Sequence, residues 1–302
     1  MTATRKAFVL GRRRKGRAIA GTVRDVVRDL RAAGWKVESD VVDRKRQLRA
    51  HTASAVRDGF DTVVAVGGDG AVGQIATKLA GTTVRLGIIP TGTGNLLAGN
   101  LRIPHDATDA TRTLLGGRIR HVDVGRLKVD GRRRAFTVAC GVGFDADVMG
   151  ATERSQKLRW GKLAYLANAV ARTSNLRNVQ HTLRLDGEVT QMEAAQVFVA
   201  NFGRMLPLIA PRPPVRPDDG LLDVIVVTAS GPLPALLASW EAIRADGLGE
   251  SDGGHVFRAR ARKVRIETEP DRLVELDGSV VGRTPVVASV VPRGLAVIVP
   301  PR

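Results

Sequence analysis

The sequence predicts an α/β domain with a parallel sheet, followed by a β-rich domain that contains one helical insertion. Over the first 117 residues, apolar stretches with strand-like and helix-like spacing alternate, which is the order of a parallel sheet covered by helices. From residue 118 onward, Asp-Gly pairs separate stretches of alternating apolar and polar residues, which indicates β-hairpins. The length of 302 residues suits two domains, which we place at residues 1–117 and 118–302.

The elements of the first domain follow from apolar periodicity. Apolar residues recur at helical spacing from Ile19 to Leu30, which predicts a helix that closes before Gly34. An uninterrupted apolar run at residues 63–66, three of them β-branched, predicts a buried strand. In chain order the predicted elements are strand 7–10, helix 19–30, strand 35–42, helix 48–56, strand 63–66, helix 70–80, strand 84–90 and helix 108–115.

The second domain is predicted from its turns and from one amphipathic stretch. Residues 121–129 alternate in strand fashion, and Asp130-Gly131 turns the chain into a return strand at 135–139. A basic, Trp-bearing stretch at 146–174 predicts a helical insertion, which suits either a membrane interface or packing on the protein's own core. The other predicted elements are strands 181–185, 191–200, 225–227, 256–266, 273–277 and 286–299 and a helix at 233–243.

The chain is organised around Gly67-Gly68-Asp69-Gly70, which follows the buried strand 63–66 and begins a helix. Glycine lets a ligand approach the backbone closely. A glycine turn between a strand and a helix aims backbone N–H groups at an anion, usually a phosphate. Asp69 adds a carboxylate that would hold Mg²⁺ or take a proton from an acceptor hydroxyl. The alternative is a tight turn in which Asp69 only caps the helix.

A second glycine turn, Thr91-Gly92-Thr93-Gly94-Asn95, follows the strand predicted at 84–90. In a parallel sheet, ligands bind at the carboxyl ends of the strands, so two such turns can line one crevice. Thr93 and Asn95 would add side-chain hydrogen bonds to a phosphate or a ribose. The pair of turns is a stronger indication of a nucleotide site than either turn alone.

The charge and the amino-acid composition limit the kinds of partner that the chain can bind. Lys and Arg number 47 against 30 acidic residues, a formal net charge of +17, and residues 1–60 alone hold 16 basic against 6 acidic residues. This balance indicates an anionic partner, which is a nucleic acid, an acidic membrane surface or phosphate. Aromatic residues make up only 4%, which argues against single-strand nucleic-acid binding by base stacking.

The single cysteine excludes an intramolecular disulfide, so we expect a cytoplasmic chain. No apolar stretch approaches the ~20 residues that span a membrane.

The two turns together resemble those of the diacylglycerol kinase catalytic family, which includes bacterial lipid kinases and sphingosine kinases and is distantly related to NAD kinases. The resemblance covers residues 5–299 and implies a nucleotide-binding α/β domain followed by a β-sandwich domain. It also implies phosphorylation of a lipid hydroxyl, diacylglycerol or a related lipid, with ATP and Mg²⁺. The nucleotide-binding residues that it implies are Gly67, Gly68, Asp69, Gly70, Thr91, Gly92, Thr93 and Asn95.

The resemblance further implies a structural Mg²⁺ site before the strand at 225–227. In the matching loop, Asp219 supplies a carboxylate, and Arg216 and Leu221 supply backbone carbonyls. A carboxylate with carbonyl oxygens suits a hard cation. On spacing alone, the acidic residues before Gly220 would indicate only a turn.

One stretch departs from the family in a way that bears on catalysis. Residues 277–285 resemble a turn in which the family carries a glutamate, the proposed general base for the lipid hydroxyl, but this chain has Ser279 there. A serine cannot accept that proton effectively near neutral pH. The first glycine turn departs as well, because it is followed by Ala71 where threonine is usual.

Three functions therefore stay open. The first is a lipid kinase with catalytic positions Asp69 and Ser279. The second is a lipid- or nucleotide-binding homologue without turnover, which Ser279 favours. The third is a kinase of a soluble substrate, similar to NAD kinases, against which the Asp219 loop argues. The resemblance implies a lipid substrate, and the basic charge favours peripheral association with an anionic membrane surface. A nucleic-acid binder would fit the charge but would explain no motif, so we expect no nucleic acid, and a homodimer stays open.

Overall fold

The structure is a computed structural model, and it describes residues 5–13, 18–144, 178–203, 215–228, 249–250, 256–277 and 279–301. The chain divides into two compact units. Unit 1 consists of Met1–Val124, Pro217–Asp219 and Val291–Arg302, and unit 2 consists of Gly125–Arg216 and Gly220–Val290. This division differs from the single boundary that we placed between residues 117 and 118, because the end of the chain returns to unit 1.

Unit 1 is an α/β unit with a parallel sheet. Its elements are β1 (Lys6–Arg12), α1 (Ile19–Ala32), β2 (Lys36–Val42), α2 (Lys45–Arg57), β3 (Thr62–Gly67), α3 (Asp69–Leu79), β4 (Arg85–Pro90), α4 (Leu96–Asn100), α5 (Ala107–Gly116) and parts of β5 (Arg118–Val129) and β17 (Val286–Val299). The strands pair in parallel in the order β2–β1–β3–β4, and Val297 of β17 pairs with Leu86 of β4. The predicted alternation of strands and helices is confirmed.

The apolar periodicity explains why these residues form these elements. The buried residues of α1 are those that predicted the helix, namely Ile19, Val23, Val26, Val27 and Leu30. All six residues of β3 are buried, as is usual for a parallel strand covered on both faces. Burial of these side chains fixes β3 firmly, so the turn that follows it starts from a rigid point.

Unit 2 is an antiparallel β-sandwich. Its further elements are β6 (Arg132–Phe136), β7 (Ala139–Phe144), β8 (Val179–Leu185), β9 (Glu188–Ala194), β10 (Gln196–Ala200), β11 (Leu222–Val227), β12 (Gly249–Glu250), β13 (Val256–Ala261), β14 (Lys263–Glu269), β15 (Leu273–Leu276) and β16 (Ser279–Arg283). One sheet has the order β12–β13–β11–β10–β7–β15–β16, and β17, β14, β8 and β9 pair in the other. Phe136, Leu183 and Ile266 share one core with Cys140 and Val199 from the opposite sheet, so the implied sandwich is confirmed.

Three predicted strands end earlier than their apolar patterns suggest. The run 191–200 consists of β9 and β10, which are separated at Ala195 and belong to different sheets. The run 256–266 divides at Arg262 into β13 and β14 in the same way, and the return strand predicted at 135–139 is β6, followed by β7 in the other sheet. Only one or two residues separate the two strands at each change of sheet, so the apolar pattern of the sequence alone did not show the break.

Among the described residues, none of the helices has both the length and the apolar character needed to cross a membrane. The helices predicted at 146–174 and 233–243 lie outside the described residues, so their predictions stay untested.

A buried histidine in unit 2 is expected to make the stability of the fold depend on pH. The His181 ring lies in β8 with Nδ1 2.8 Å from the backbone oxygen of Val179, and its Nε2 has no hydrogen-bond partner in the described part of the chain. Burial lowers the pKa of His181 below the ordinary value of 6.5, and the positive charge of Arg272 lowers the pKa further, whereas the bond to Val179 opposes the shift. The folded protein therefore keeps this imidazole neutral.

We expect the free energy of unfolding to fall as the pH drops below 6.5, because the unfolded chain then gains a proton at His181 that the folded chain does not bind. The loss is at most about 1.4 kcal/mol per pH unit for one proton. Urea unfolding at about pH 7.5 and about pH 5.5 should show a smaller loss in His181→Phe than in the natural protein. The control His121→Phe, at an exposed histidine, should keep the full loss; equal losses in all three proteins would contradict the assignment.

Candidate functional site

Both predicted glycine turns lie at the same edge of the unit 1 sheet. Strands β3 and β4 are parallel neighbours whose last residues, Gly67 and Pro90, are partners in the register. The Thr91 N–H donates to the backbone oxygen of Gly67 at 3.0 Å, so the second turn begins bonded to the first. The expectation that the two turns meet therefore holds in the structure.

The two turns touch backbone to backbone. A Cβ atom on Gly68 would lie 2.8 Å from the Cα of Gly92, and a Cβ on Gly92 would lie 2.6 Å from the Cα of Gly68. Gly68 has a φ of −92°, which any residue can adopt, so close approach rather than backbone strain is what requires glycine there. A side chain at either position would separate the turns.

Asp69 joins the two turns. It is the first residue of α3, and its Oδ1 accepts a hydrogen bond of 2.5 Å from the Leu96 N–H at the start of α4. Its Oδ2 faces Gly94, where an added Cβ would lie 2.7 Å away, and accepts no hydrogen bond from the described residues. The carboxylate thus caps α4 rather than its own helix, and one oxygen stays available to a ligand.

Asn95 holds the second turn in its own shape. Its Oδ1 accepts from the Gly92 N–H at 2.8 Å, and its Nδ2 donates to the Gly92 oxygen at 3.1 Å and lies 3.1 Å from His105 Nδ1. The residue is buried and has a left-handed φ of 48°, a conformation that asparagine adopts more readily than most residues. These bonds give Asn95 a role in shaping the turn, and its expected contact with phosphate or ribose stays a prediction.

Several groups around the turns are available to an anion. α3 has no side-chain cap, and the N–H groups of Asp69 and Gly70 have no partner within the described ranges. Thr91 Oγ1 is buried without a hydrogen-bond partner in those ranges, whereas Thr93 is exposed. These groups lie beside the place where the two turns meet backbone to backbone, and they suit phosphate oxygens.

Lys45 lies beside the candidate site, and the sequence analysis did not single it out. It is the exposed first residue of α2, and its Nζ lies 3.9 Å from the position of a Cβ on Gly70. The ammonium group therefore lies at the N-terminus of α3, where an anionic ligand would sit. The basic run Arg44-Lys45-Arg46 was the available signal, but nothing in its spacing connects it to the glycine turns.

The predicted metal residues lie on one turn of the chain, just before β11. Asp219 is exposed, its neighbour Asp218 accepts hydrogen bonds of 2.8 and 3.2 Å from Arg120, and Gly220 has a φ of 75°. No three His, Cys, Asp or Glu side chains of the described residues are grouped so that they could hold a metal ion. A cation at Asp219 would therefore need the backbone oxygens of Arg216 and Leu221 and water, which is the implied ligand set, and this site stays a prediction.

Ser279 is the exposed first residue of β16 in unit 2, where we expected only a turn. Two residues earlier, the Asp277 carboxylate accepts hydrogen bonds of 3.0 to 3.2 Å from the N–H groups of Thr137, Val138 and Ala139. Burial raises the pKa of Asp277, and those three bonds oppose the rise. Asp277 therefore fixes the backbone beside Ser279, and it was not among the residues singled out from the sequence.

Comparisons with known proteins agree with this geometry. The diacylglycerol kinase catalytic domain matches residues 7–127, and the YegS C-terminal NAD kinase beta sandwich-like domain matches residues 137–299. A diacylglycerol kinase of Mycobacterium tuberculosis is 34% identical over 257 residues, which cover 82% of this chain and 80% of that protein. An uncharacterized Synechocystis protein is 27% identical over 278 residues, 90% of this chain, but the chain spans only 63% of that protein's length.

A solved structure gives the same fold. The crystal structure of a putative diacylglycerol kinase from Bacillus anthracis superimposes with a TM-score of 0.81 and 23% identity. The superposition covers 98% of this chain and 95% of the other, so the fold extends over both units.

Proposed function

Because this chain belongs to the diacylglycerol kinase family, we propose that it transfers the γ-phosphoryl group of ATP to the hydroxyl of diacylglycerol or a related lipid. Family membership supports the broader statement, that the protein is a lipid kinase. The use of ATP, the choice of lipid and the roles of single residues are the finer parts of the proposal.

The backbone contact between the two glycine turns is the observation that supports the proposal most strongly. A side chain on Gly68 or Gly92 would push the two turns apart, and the N–H groups of Asp69 and Gly70, which have no partner among the described residues, lie beside this contact. Thr91 Oγ1 adds a buried hydroxyl without a partner in the described part of the chain. The N–H groups would bind phosphate oxygens, and the positive end of the α3 dipole would favour their charge.

Charge neutralisation would come from Lys45 and from a divalent cation. The Lys45 ammonium would pair with a phosphate at the N-terminus of α3. Asp69 Oδ2 accepts no hydrogen bond from the described residues, so it fits a cation that accompanies the nucleotide. Mg²⁺ bound with ATP would offset the charge on the phosphoryl oxygens as they transfer.

The acceptor side is where this chain differs from its family. Ser279 would hydrogen-bond the lipid hydroxyl without removing its proton. Phosphoryl transfer depends mainly on positioning and charge neutralisation, so a missing base slows the reaction without preventing it. A second candidate function is a binding protein without turnover, and Ser279 is the observation that favours it.

The proposed substrate also bears on location. A lipid substrate requires a protein at the surface of a membrane, and a net charge of +17 would attract it to an anionic leaflet. We therefore propose that the protein is cytoplasmic and binds membranes peripherally.

The direct test is an assay of the purified protein with γ-labelled ATP and Mg²⁺, in mixed micelles that each contain one lipid, with NAD in a parallel reaction. A labelled lipid is the expected product, and diacylglycerol is expected to be among the accepted lipids. ATP binding without any labelled product would favour the binding protein. Label in NAD alone would show a soluble-substrate kinase and overturn the proposal.

A further inference from the structure

We propose that the hairpin formed by β5 and β6, residues 125–136, is the surface through which this protein binds an anionic lipid bilayer. This inference rests on the proposed function only in that a lipid kinase must reach a membrane. It names the part of unit 2 that makes the contact.

The hairpin concentrates unpaired positive charge. Arg126, Lys128, Arg132 and Arg133 are exposed, and the tip holds Asp130 as the hairpin's single acidic residue. None of these four cations forms an ion pair with a described residue, whereas exposed arginines elsewhere, such as Arg28, Arg112 and Arg265, each pair with a carboxylate. The hairpin's charge is therefore available to a partner outside the chain.

The register places like charges opposite each other. Lys128 pairs with Arg133 across the two antiparallel strands, and Leu127 and Val129 on either side of Lys128 are buried. Strand alternation puts Arg126, Lys128 and Arg133 together on the face away from the core. Like charges directly opposite each other destabilise a hairpin, and an anionic surface would offset their repulsion.

The tip of the hairpin lies against the strand that carries Ser279. A Cβ on Gly282 of β16 would lie 2.5 Å from Val129 Cγ2, so the two hairpins are in contact within unit 2. Val280, next to Ser279, is a large apolar residue with 44% of its surface exposed. A bilayer bound at the basic hairpin would thus lie close to the position where the family carries its proposed base.

The chemistry of the surface favours a bilayer over a nucleic acid. The hairpin's aromatic residue, Phe136, is buried, so the exposed face offers no ring for base stacking. Several cations spread over a two-stranded ribbon instead match the diffuse negative charge of an anionic leaflet. Each cation near such a surface raises affinity roughly fivefold.

The test measures co-sedimentation with vesicles in the absence of ATP. We compare pure phosphatidylcholine vesicles with vesicles that contain ~30% phosphatidylserine, at ~0.1 M salt. Lys128→Gln combined with Arg133→Gln should weaken binding to the anionic vesicles by about 20- to 30-fold. The matched control, Arg184→Gln with Lys263→Gln, removes one arginine and one lysine from exposed strand positions of the same unit and should change binding less than about threefold.

Equal weakening by both pairs would overturn the proposal, because it would show a response to net charge and not to the hairpin. Unchanged vesicle binding by the double variant of Lys128 and Arg133 would also overturn it. So would a double variant that loses affinity for a DNA duplex but still binds vesicles like the natural protein. Circular dichroism and thermal unfolding check that the variants fold, and Arg126→Gln alone, expected to weaken binding about fivefold, is a milder second variant. Because no ATP is present, hairpin-dependent vesicle binding without labelled lipid in the kinase assay would refute the kinase and leave the hairpin proposal standing.

Discussion

Ser279→Glu is expected to raise the rate of lipid phosphorylation by about 10²–10⁴-fold, the usual contribution of general acid–base catalysis. The glutamate would supply the carboxylate that the family resemblance implies at this position. The substitution should fold, because Ser279 is exposed at the start of β16 and the backbone beside it is held by Asp277. The measurement is kcat/KM for the lipid in the mixed-micelle assay.

Val280→Glu is the matched control for this gain. It adds the same charge one residue later on the same strand, where alternation turns the side chain to the other face. Its activity should not rise above that of the natural protein. The natural protein could instead be fully active, with a kcat/KM that neither substitution changes. That result would show that another group takes the proton and that the absence of a glutamate at Ser279 has little effect.

Asp69→Asn is expected to lower kinase activity by at least ~10²-fold while the fold is retained. The asparagine keeps an oxygen that can accept the Leu96 N–H, so the link between the turns survives. It loses the negative charge that would hold the cation accompanying ATP. Activity and thermal stability, measured on the same preparation, separate these two contributions.

Asp69→Ala completes the comparison, because it removes both the charge and the link to Leu96. It should lose activity and also unfold at a lower temperature, since the partly buried N–H of Leu96 is left without its partner. If Asp69→Asn kept full activity and only Asp69→Ala lost it, the carboxylate would be a cap between the turns with no part in catalysis. That outcome would support the alternative that the sequence left open.

The sequence was sufficient to predict the strands and helices of unit 1, because they are short and show regular apolar periodicity. The run at residues 63–66 is buried throughout, and a helix follows it directly, so both the strand and the turn were predictable. Unit 2 was harder, because Ala195 and Arg262 are single residues at which the chain leaves one sheet and enters the other, and no turn signal in the sequence marks them. The positions of its hairpins depend on which strands pair, and pairing involves residues far apart in the sequence.

The candidate site shows the same limit. Gly68, Asp69 and Gly92 were recognised from local spacing, but the contact between the turns depends on the pairing of β3 with β4. Lys45 reaches the site only because α2 packs beside α3, and no local pattern encodes that contact. The sequence placed Asn95 in the correct turn. Its hydrogen bonds to the Gly92 backbone fix the shape of that turn, which the residue type alone does not reveal.

Whether the glycine turns hold the nucleotide is decided by calorimetric titration of Mg·ATP into the natural protein, Gly68→Ala and Gly116→Ala. A Cβ on Gly68 meets the backbone of Gly92 at 2.8 Å, whereas a Cβ on the exposed Gly116 meets nothing within 4 Å. We expect Gly116→Ala to bind like the natural protein and Gly68→Ala, folded by circular dichroism, to bind at least ~10-fold more weakly, about 1.4 kcal/mol. Equal affinities in all three proteins would contradict the assignment of the nucleotide to these turns.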